Sequence, residues 1–290
     1  MLMMLVAVGL LSLMDGGLKL LAARYPPLQV AFLRGASSLP FVLVWVGSSV
    51  GFASLLRVRW PLHLLRGVIA VAMMSSFAYA LRTLPLSTAY TLFFVAPLII
   101  TALSGPLLGE RVGVARWLAI ACGFAGTLVV LRPTGEGLMS WAGLAVLAAA
   151  TGYALSAISV RVLGRSDSTQ SMVFWLLTLL SFGAGLLALP GWVPIERGDA
   201  GVIVGVGLCG ALGQWAITEA FARAQASVIA PLEYSALAWG LALDLLLWQQ
   251  LPDAITWLGG TIIVGSGLYL IRRESDESAI AARAATDPPA

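Results

Sequence analysis

Apolar stretches of about 20 residues, the length that crosses a bilayer as helix, follow one another along this chain with only short polar punctuation between them. The pattern predicts ten helical spans, at roughly residues 2–22, 28–50, 63–82, 86–108, 113–131, 140–162, 169–190, 200–222, 227–249 and 254–271. Little sequence is left for a separate module. From Arg272 the character changes to RRESDESAIAARAATDPPA, a polar, proline-ended run with the composition of a disordered tail.

Composition sharpens the reading. The chain is 59% hydrophobic and 11% charged, with mean hydropathy +0.93, where a soluble domain carries about 25% charged residues. The first span has no basic leader segment and runs on through Lys19 to the RYPP turn, so it reads as a membrane helix and not as a signal peptide. Cys122 and Cys209 fall inside spans beside glycine and alanine, which makes them small packing residues with no metal-ligand or disulfide spacing.

Charge sets orientation. With the N-terminus inside, the inner loops and tail hold ten arginines between Arg57 and Arg273, against Arg24, Arg82, Arg132 and Arg197 outside. Both termini are therefore expected in the cytoplasm, and the net charge of +3 reports topology, with no nucleic-acid partner implied.

The chain also repeats itself. LSTAYTLFFVAPLIITALSGPLLGE begins at Leu86 and ASVIAPLEYSALAWGLALDLLLWQQ at Ala226, so that Ser87 matches Ser227, Phe94 matches Tyr234 and Trp117 matches Trp257, all at one offset (227 − 87 = 140). Nearer the start, Lys19 matches Arg161 and Phe32 matches Phe174. Five spans are duplicated. Five is odd, so the second copy enters the bilayer from the other side, the arrangement that lets secondary transporters exchange conformations between halves. The expected fold is an all-α membrane protein of ten transmembrane helices in two inverted five-helix repeats. Its expected parts are residues 1–135, residues 136–273 and a cytoplasmic tail at 274–290.

With LPLSTAYTLFFVAPLIITALSGPLLGERVGVARWLAIACGFAGTLVVLRP ending the first half and APLEYSALAWGLALDLLLWQQLPDAITWLGGTIIVGSGLYLIRR ending the second, the sequence resembles the EamA-type drug/metabolite transporter superfamily over nearly its whole length. Within it the chain is similar to bacterial exporters of aromatic amino acids of the YddG type. The resemblance implies export of aromatic and other apolar amino acids across the bacterial inner membrane, no cofactor, and a monomer sufficient for transport. Members usually end the ninth span with Gly-Glu, as Gly109 and Glu110 do in the first half; here Gln249 and Gln250 stand there.

Ionisable side chains at membrane depth need a partner or a wet cavity, and the candidates are Asp15, Lys19, Arg34, Glu219, Glu233 and Asp244. Asp15 and Lys19 sit four apart, the spacing of an intrahelical ion pair; the pair is either structural or a coupling site, with Gly16 and Gly17 able to loosen the helix there. In the eighth span Gly201, Gly205, Cys209 and Gly213 form a small-residue stripe for helix packing. Trp215 and Glu219 lie together on a different side, where the indole either anchors at the interface or lines a cavity with the carboxylate. Tyr90, Phe94, Pro97 and Thr101 share a face of the fourth span, and Tyr234 and Trp239 follow Pro231 in its counterpart.

Ser75, Ser76 and Tyr79 add hydroxyls. Ser75, Tyr79, Tyr90, Phe94, Trp215, Glu219, Tyr234 and Trp239 are thus the candidate substrate-lining residues of a mostly apolar pocket. Pro97 removes a backbone hydrogen bond in mid-span, as a static bend or a hinge; Pro231 is a hinge or a first-turn proline. His63, the single histidine, lies among loop arginines, where it is expected to be solvated or at the lipid interface. The chain holds no HExxH, GxSxG or phosphate-binding glycine loop, so an enzyme is not expected. The rival cargoes on the same fold are riboflavin, S-adenosylmethionine or a cationic drug; a non-transporting scaffold or receptor is the rival class.

Overall fold

The computed structural model describes residues 2–49, 51–56, 58–108, 114–131, 140–164, 166–223, 235–266, 268–269 and 272. The described chain is helical, and six helices are long and apolar enough to cross a membrane. We number the described α-helices α1 (Leu2–Ala22), α2 (Pro27–Ser49), α3 (Trp60–Leu81), α4 (Leu86–Phe93), α5 (Ala96–Leu108), α6 (Val114–Leu131), α7 (Trp141–Leu163), α8 (Thr169–Ala188), α9 (Ala200–Arg223), α10 (Ala236–Trp248) and α11 (Ala254–Ser266). The crossing helices are α1, α2, α3, α7, α8 and α9. The tail expected at 274–290 lies outside the described residues.

Local chemistry sets the boundaries. Ser140 and Ser168 cap α7 and α8 by accepting from the Gly143 and Ser171 N–H groups at 3.0 and 3.2 Å, which satisfies donors the first helical turn leaves free. The fourth span is not one helix. It breaks at Phe94 and Val95, and α5 restarts at Ala96. Proline at 97 cannot donate to the Phe93 carbonyl, so the ladder fails where the sequence placed a kink, and the proline falls in the first turn of α5, where it is tolerated. The single face expected for Tyr90, Phe94, Pro97 and Thr101 is interrupted there, and the Pro97 and Thr101 side chains lie outside the described residues.

At its far end α10 stops on Gln249, whose φ of 53° is left-handed. Glycine is at home in that conformation and a residue with a Cβ is not. The missing glycine therefore has a local price, and Gln249→Gly is expected to raise stability by about 1 kcal/mol, read as a higher unfolding midpoint in detergent; an unchanged or lower midpoint would contradict it.

The bundle is organised by helix pairs. The main packed pairs are α1 with α9, α2 with α8, and α3 with α7, followed by α2 with α9 and α3 with α8. The short α4 lies against α10, and Gly126 of α6 abuts Ile262 and the Gly259 carbonyl of α11. The principal core joins α1, α2, α3, α4 and α7, with Leu18, Leu21, Leu81, Leu86 and Leu92 sealed inside it. On α9 the packing stripe keeps Gly213 of the expected one, with Cys209 partly buried against the core, and otherwise differs. Gly207, Gly210 and Gly213 meet Ser37, Met14 and Leu11, while Gly201 and Gly205 face nothing within 4 Å.

His63 departs from expectation too. It is 1% exposed, and its Nε2 lies 2.8 Å from the Asp167 carboxylate, pinning the start of α3 to the α7–α8 loop. Burial alone would push the Asp167 carboxyl up; hydrogen bonds from Ser166, His63 and the Arg59 N–H outweigh it and hold the group below its ordinary value. At the opposite loop the Tyr25 hydroxyl donates to Asp199 at 2.6 Å, and that bond raises the phenol's pKa.

Candidate functional site

Asp15 and Lys19 stand one turn apart on α1, but they do not pair with each other as expected. Lys19 Nζ meets Asp244 Oδ1 of α10 at 2.8 Å, both side chains almost fully buried, and its charge sits 4.2 Å from the centre of the Trp248 ring. Asp15 accepts a hydrogen bond from the Tyr90 hydroxyl of α4 at 2.8 Å. The helix spacing allowed the intrahelical pair; each charge has a better-fixed partner on a neighbouring helix.

What fixes Asp244 is the start of α4. This helix begins after Pro85, which has no side chain able to cap it. Asp244 takes that role from across the bundle: Oδ1 accepts from the Leu86 N–H at 3.0 Å, and Oδ2 from the Ser87 N–H at 2.8 Å and the Ser87 hydroxyl at 2.7 Å. A carboxylate at a helix N-terminus satisfies free donors and complements the positive end of the dipole. With Lys19 added, the charge buried at Asp244 is paired and hydrogen-bonded at both oxygens, which is what makes a buried ion tolerable. The uncapped start at Leu86 was readable in sequence; the residue that fills it, more than 150 positions away, was not.

One turn further along α4, Tyr90 is 6% exposed and packs its ring on Gly240 of α10, where a Cβ would come within 2.8 Å of it. Its hydroxyl leads to Asp15, and Arg34 of α2 lies near enough for the two charges to attract. Arg34 and Asp15 both lie deep among the helices yet keep some accessible surface. No hydrogen bond or salt bridge joins the Arg34 guanidinium to a described residue, and its Nε is sealed without a partner. Asp15, Arg34 and Tyr90 thus form a polar cluster, contributed by three helices, inside an apolar bundle.

The other expected site residues scatter. Ser75 and Tyr79 line a shallow groove of about 350 Å³ with Pro26, Pro27 and Ala145; the Ser75 hydroxyl is sealed without a partner, and Tyr79 is 43% exposed. Phe94 is buried in the main core at the α4–α5 break. Trp215 is exposed in line with Val204, Leu208 and Leu212 of α9, the outer stripe of that helix. Trp239 is also exposed and lays its indole on Gly9 of α1, 3.0 Å from where a Cβ would stand.

Gly16 and Gly17 sit in unbroken helix and serve close approach, to Leu243 and Val206 respectively. Pro231, Glu233 and Tyr234 lie outside the described residues, as does the Glu219 side chain. An apolar cleft of about 300 Å³, bounded by Thr91, Leu241, Trp257 and Gly260, opens between α4, α10 and α11 and includes none of the charged cluster. Among the described residues no group of acidic, histidine or cysteine side chains is placed to hold a metal ion.

Comparison with known proteins bears on this cluster. The sequence profile of the EamA-like transporter family matches residues 1–132. A riboflavin transporter of Vibrio cholerae is 32% identical over 87% of this chain and 85% of its own length. A pseudopaline exporter of Pseudomonas aeruginosa is 27% identical over 90% of this chain and 92% of its own, and an S-adenosylmethionine uptake transporter of Rickettsia conorii is 28% identical over 88% and 86%. A solved crystal structure shares the fold, with a TM-score of 0.64 at 20% identity, covering 93% of this chain and 98% of that one.

These relatives do not support the expected resemblance to aromatic amino-acid exporters of the YddG type; their named cargoes are other metabolites. The protein is a multi-pass membrane transporter of small metabolites and not an enzyme. From its helices and its relatives alike, the chain belongs to the EamA-like transporter family of the drug/metabolite transporter superfamily.

Proposed function

We propose that this protein carries a small polar metabolite across the bacterial cytoplasmic membrane by alternating access, with the substrate meeting the cluster of Asp15, Arg34 and Tyr90. The observation that carries the reading is a set of polar groups inside membrane-spanning helices, Asp15 accepting from the Tyr90 hydroxyl at 2.8 Å and Arg34 with its Nε sealed without a partner among the described residues, groups whose burial is expensive unless they work on a substrate. The two halves are residues 1–135 and 136–273, inverted, with both termini in the cytoplasm. The helix pairs support that symmetry: exchanging the halves turns α1–α9 into α7–α3 and α2–α9 into α8–α3, and returns α2–α8 and α6–α11 to themselves.

The relatives' names favour a cargo of the flavin, opine or S-adenosylmethionine kind over an aromatic amino acid. Aromatic amino-acid export is the second reading, favoured by the exposed Trp239 indole against α1. Uptake of labelled riboflavin, S-adenosylmethionine and tryptophan into proteoliposomes, with and without a pH gradient, separates them. Flux of riboflavin or S-adenosylmethionine is expected. Tryptophan flux alone would restore the second reading, and no flux of any of them would count against both.

A further inference from the structure

We infer that α4, α5, α6, α10 and α11 move as one body against a fixed frame of α1, α2, α3, α7, α8 and α9, so that the moving boundary cuts through both repeats instead of running between them. The inference rests on the transporter reading above and adds which parts move.

Rocking one whole half against the other would have to open one end of the bundle. Both ends are strapped across the halves. At one end the α8–α9 loop lies over the α1–α2 turn. There the buried Gln29 amide donates to the Val193 carbonyl at 2.6 Å and accepts from the Val193 N–H at 2.9 Å. The buried Tyr25 hydroxyl donates to Asp199 at 2.6 Å and accepts from the Glu196 N–H at 3.1 Å.

At the other end the roles of the halves are reversed, and the α2–α3 loop lies over the α7–α8 turn. The Trp175 indole donates to the Leu55 carbonyl at 2.9 Å, and Asp167 takes the Arg59 N–H at 3.1 Å and the His63 ring at 2.8 Å. Tyr25 and Asp167 stand at the same offset as Lys19 and Arg161 (167 − 25 = 142). Opening either strap would strand buried donors and acceptors, which costs their full desolvation.

Between the straps the frame helices meet backbone to backbone. A Cβ on Gly35 of α2 would stand 3.1 Å from the Leu177 carbonyl oxygen of α8, and one on Gly207 of α9 would collide with the Ser37 carbonyl of α2. The second body has bonds of its own. Asp244 of α10 holds the start of α4, Thr91 of α4 packs on Gly260 of α11, and Gly126 of α6 on Ile262 of α11.

Between the two bodies the ties named so far are made by side-chain ends, which can slide or re-form as packed helices shear. Tyr90 reaches Asp15, Lys19 reaches Asp244, and the Phe93 ring rests edge-on or tilted against Phe77 and Tyr153. The open cleft of about 300 Å³ lies within the second body, and the polar cluster straddles the boundary, with Asp15 and Arg34 on the frame and Tyr90 opposite.

The test places cysteines at exposed positions of the full chain, with Cys122 and Cys209 replaced by alanine. Ala23→Cys with Arg197→Cys crosses the first strap, and Leu56→Cys with Gly164→Cys the second. Ala23→Cys with Gln250→Cys and Leu56→Cys with Leu107→Cys join frame to second body at the same two ends. Spin-label distances are read in lipid nanodiscs without ligand, with riboflavin and with S-adenosylmethionine. Each strap pair is expected to keep one distance throughout, and at least one cross-body pair to show two. A strap pair that splits or shifts would overturn the inference, and so would four pairs that each hold one unchanging distance.

Proteoliposome uptake gives the second reading. Bridging a strap pair with a short bifunctional thiol reagent is expected to leave flux intact, and bridging a cross-body pair to abolish it. Loss of flux on bridging either strap would overturn the inference and leave the transporter reading standing. Two distances at a cross-body pair, with fixed straps, in a protein that carries neither ligand would uphold the boundary and count against the proposed cargo.

Discussion

Asp244→Ala is expected to lower the unfolding free energy by about 3–5 kcal/mol, the range for removing one partner of a buried ion pair. Three losses coincide in it. Lys19 is left with a buried charge and, among the described residues, the Trp248 ring beside it, the Leu86 and Ser87 N–H groups lose their acceptor, and the Ser87 hydroxyl loses its own. The comparison with Lys19→Met/Asp244→Asn identifies the cause. That pair leaves no isolated charge, and asparagine can still accept at the helix start, so the double variant is expected to be more stable than the single. Denaturant titration in detergent reads both. Wild-type stability for Asp244→Ala, or a double variant no better than the single, would show that the contacts are not what holds α4.

Gly207→Ala is expected to destabilise by about 1–3 kcal/mol, the usual penalty for overpacking, although it adds one methyl group. The added Cβ would collide with the Ser37 carbonyl oxygen and stand 2.6 Å from its carbon, and α2 backbone cannot rotate away as a side chain would. Ser38 also donates to the Gly207 carbonyl at 3.2 Å, so pushing α2 from α9 breaks a hydrogen bond as well. Gly201→Ala and Gly205→Ala are the controls, expected to stay within about 0.5 kcal/mol of wild type, since nothing lies within 4 Å of either. If all three behave alike, close approach at Gly207 is not what the glycine provides.

The glycine contrast also marks where sequence reading stops. Small residues recur on more than one side of α9, and the four-residue spacing of Gly201, Gly205 and Cys209 was a sound periodicity. Which side turns inward depends on Leu11, Met14 and Ser37 of other helices, which no pattern within α9 contains. Six of the ten expected spans were legible because each is a local run of apolar residues, and the α4–α5 break was legible because proline acts on its own neighbours.

The charged cluster was half legible. Asp15, Lys19, Arg34 and Asp244 stand out as ionisable residues at membrane depth. Their partners do not, because the only pairing rule available inside one helix suggested Asp15 with Lys19, while the fold joins Lys19 to a residue 225 positions away. His63 was misplaced for the same reason. Its neighbours in sequence are arginines and loop residues, and its neighbour in space is Asp167.

The capping of α4 bears on how the protein is made. The helices α4 and α5 contain 8 and 13 residues, which at 1.5 Å per residue span roughly 12 and 20 Å, each short of a hydrocarbon layer of about 30 Å. Until α10 has been made, the start of α4 and the ammonium of Lys19 lack the carboxylate that satisfies them both in the folded bundle. On this view a severed N-terminal segment is not a smaller transporter but an unfinished one.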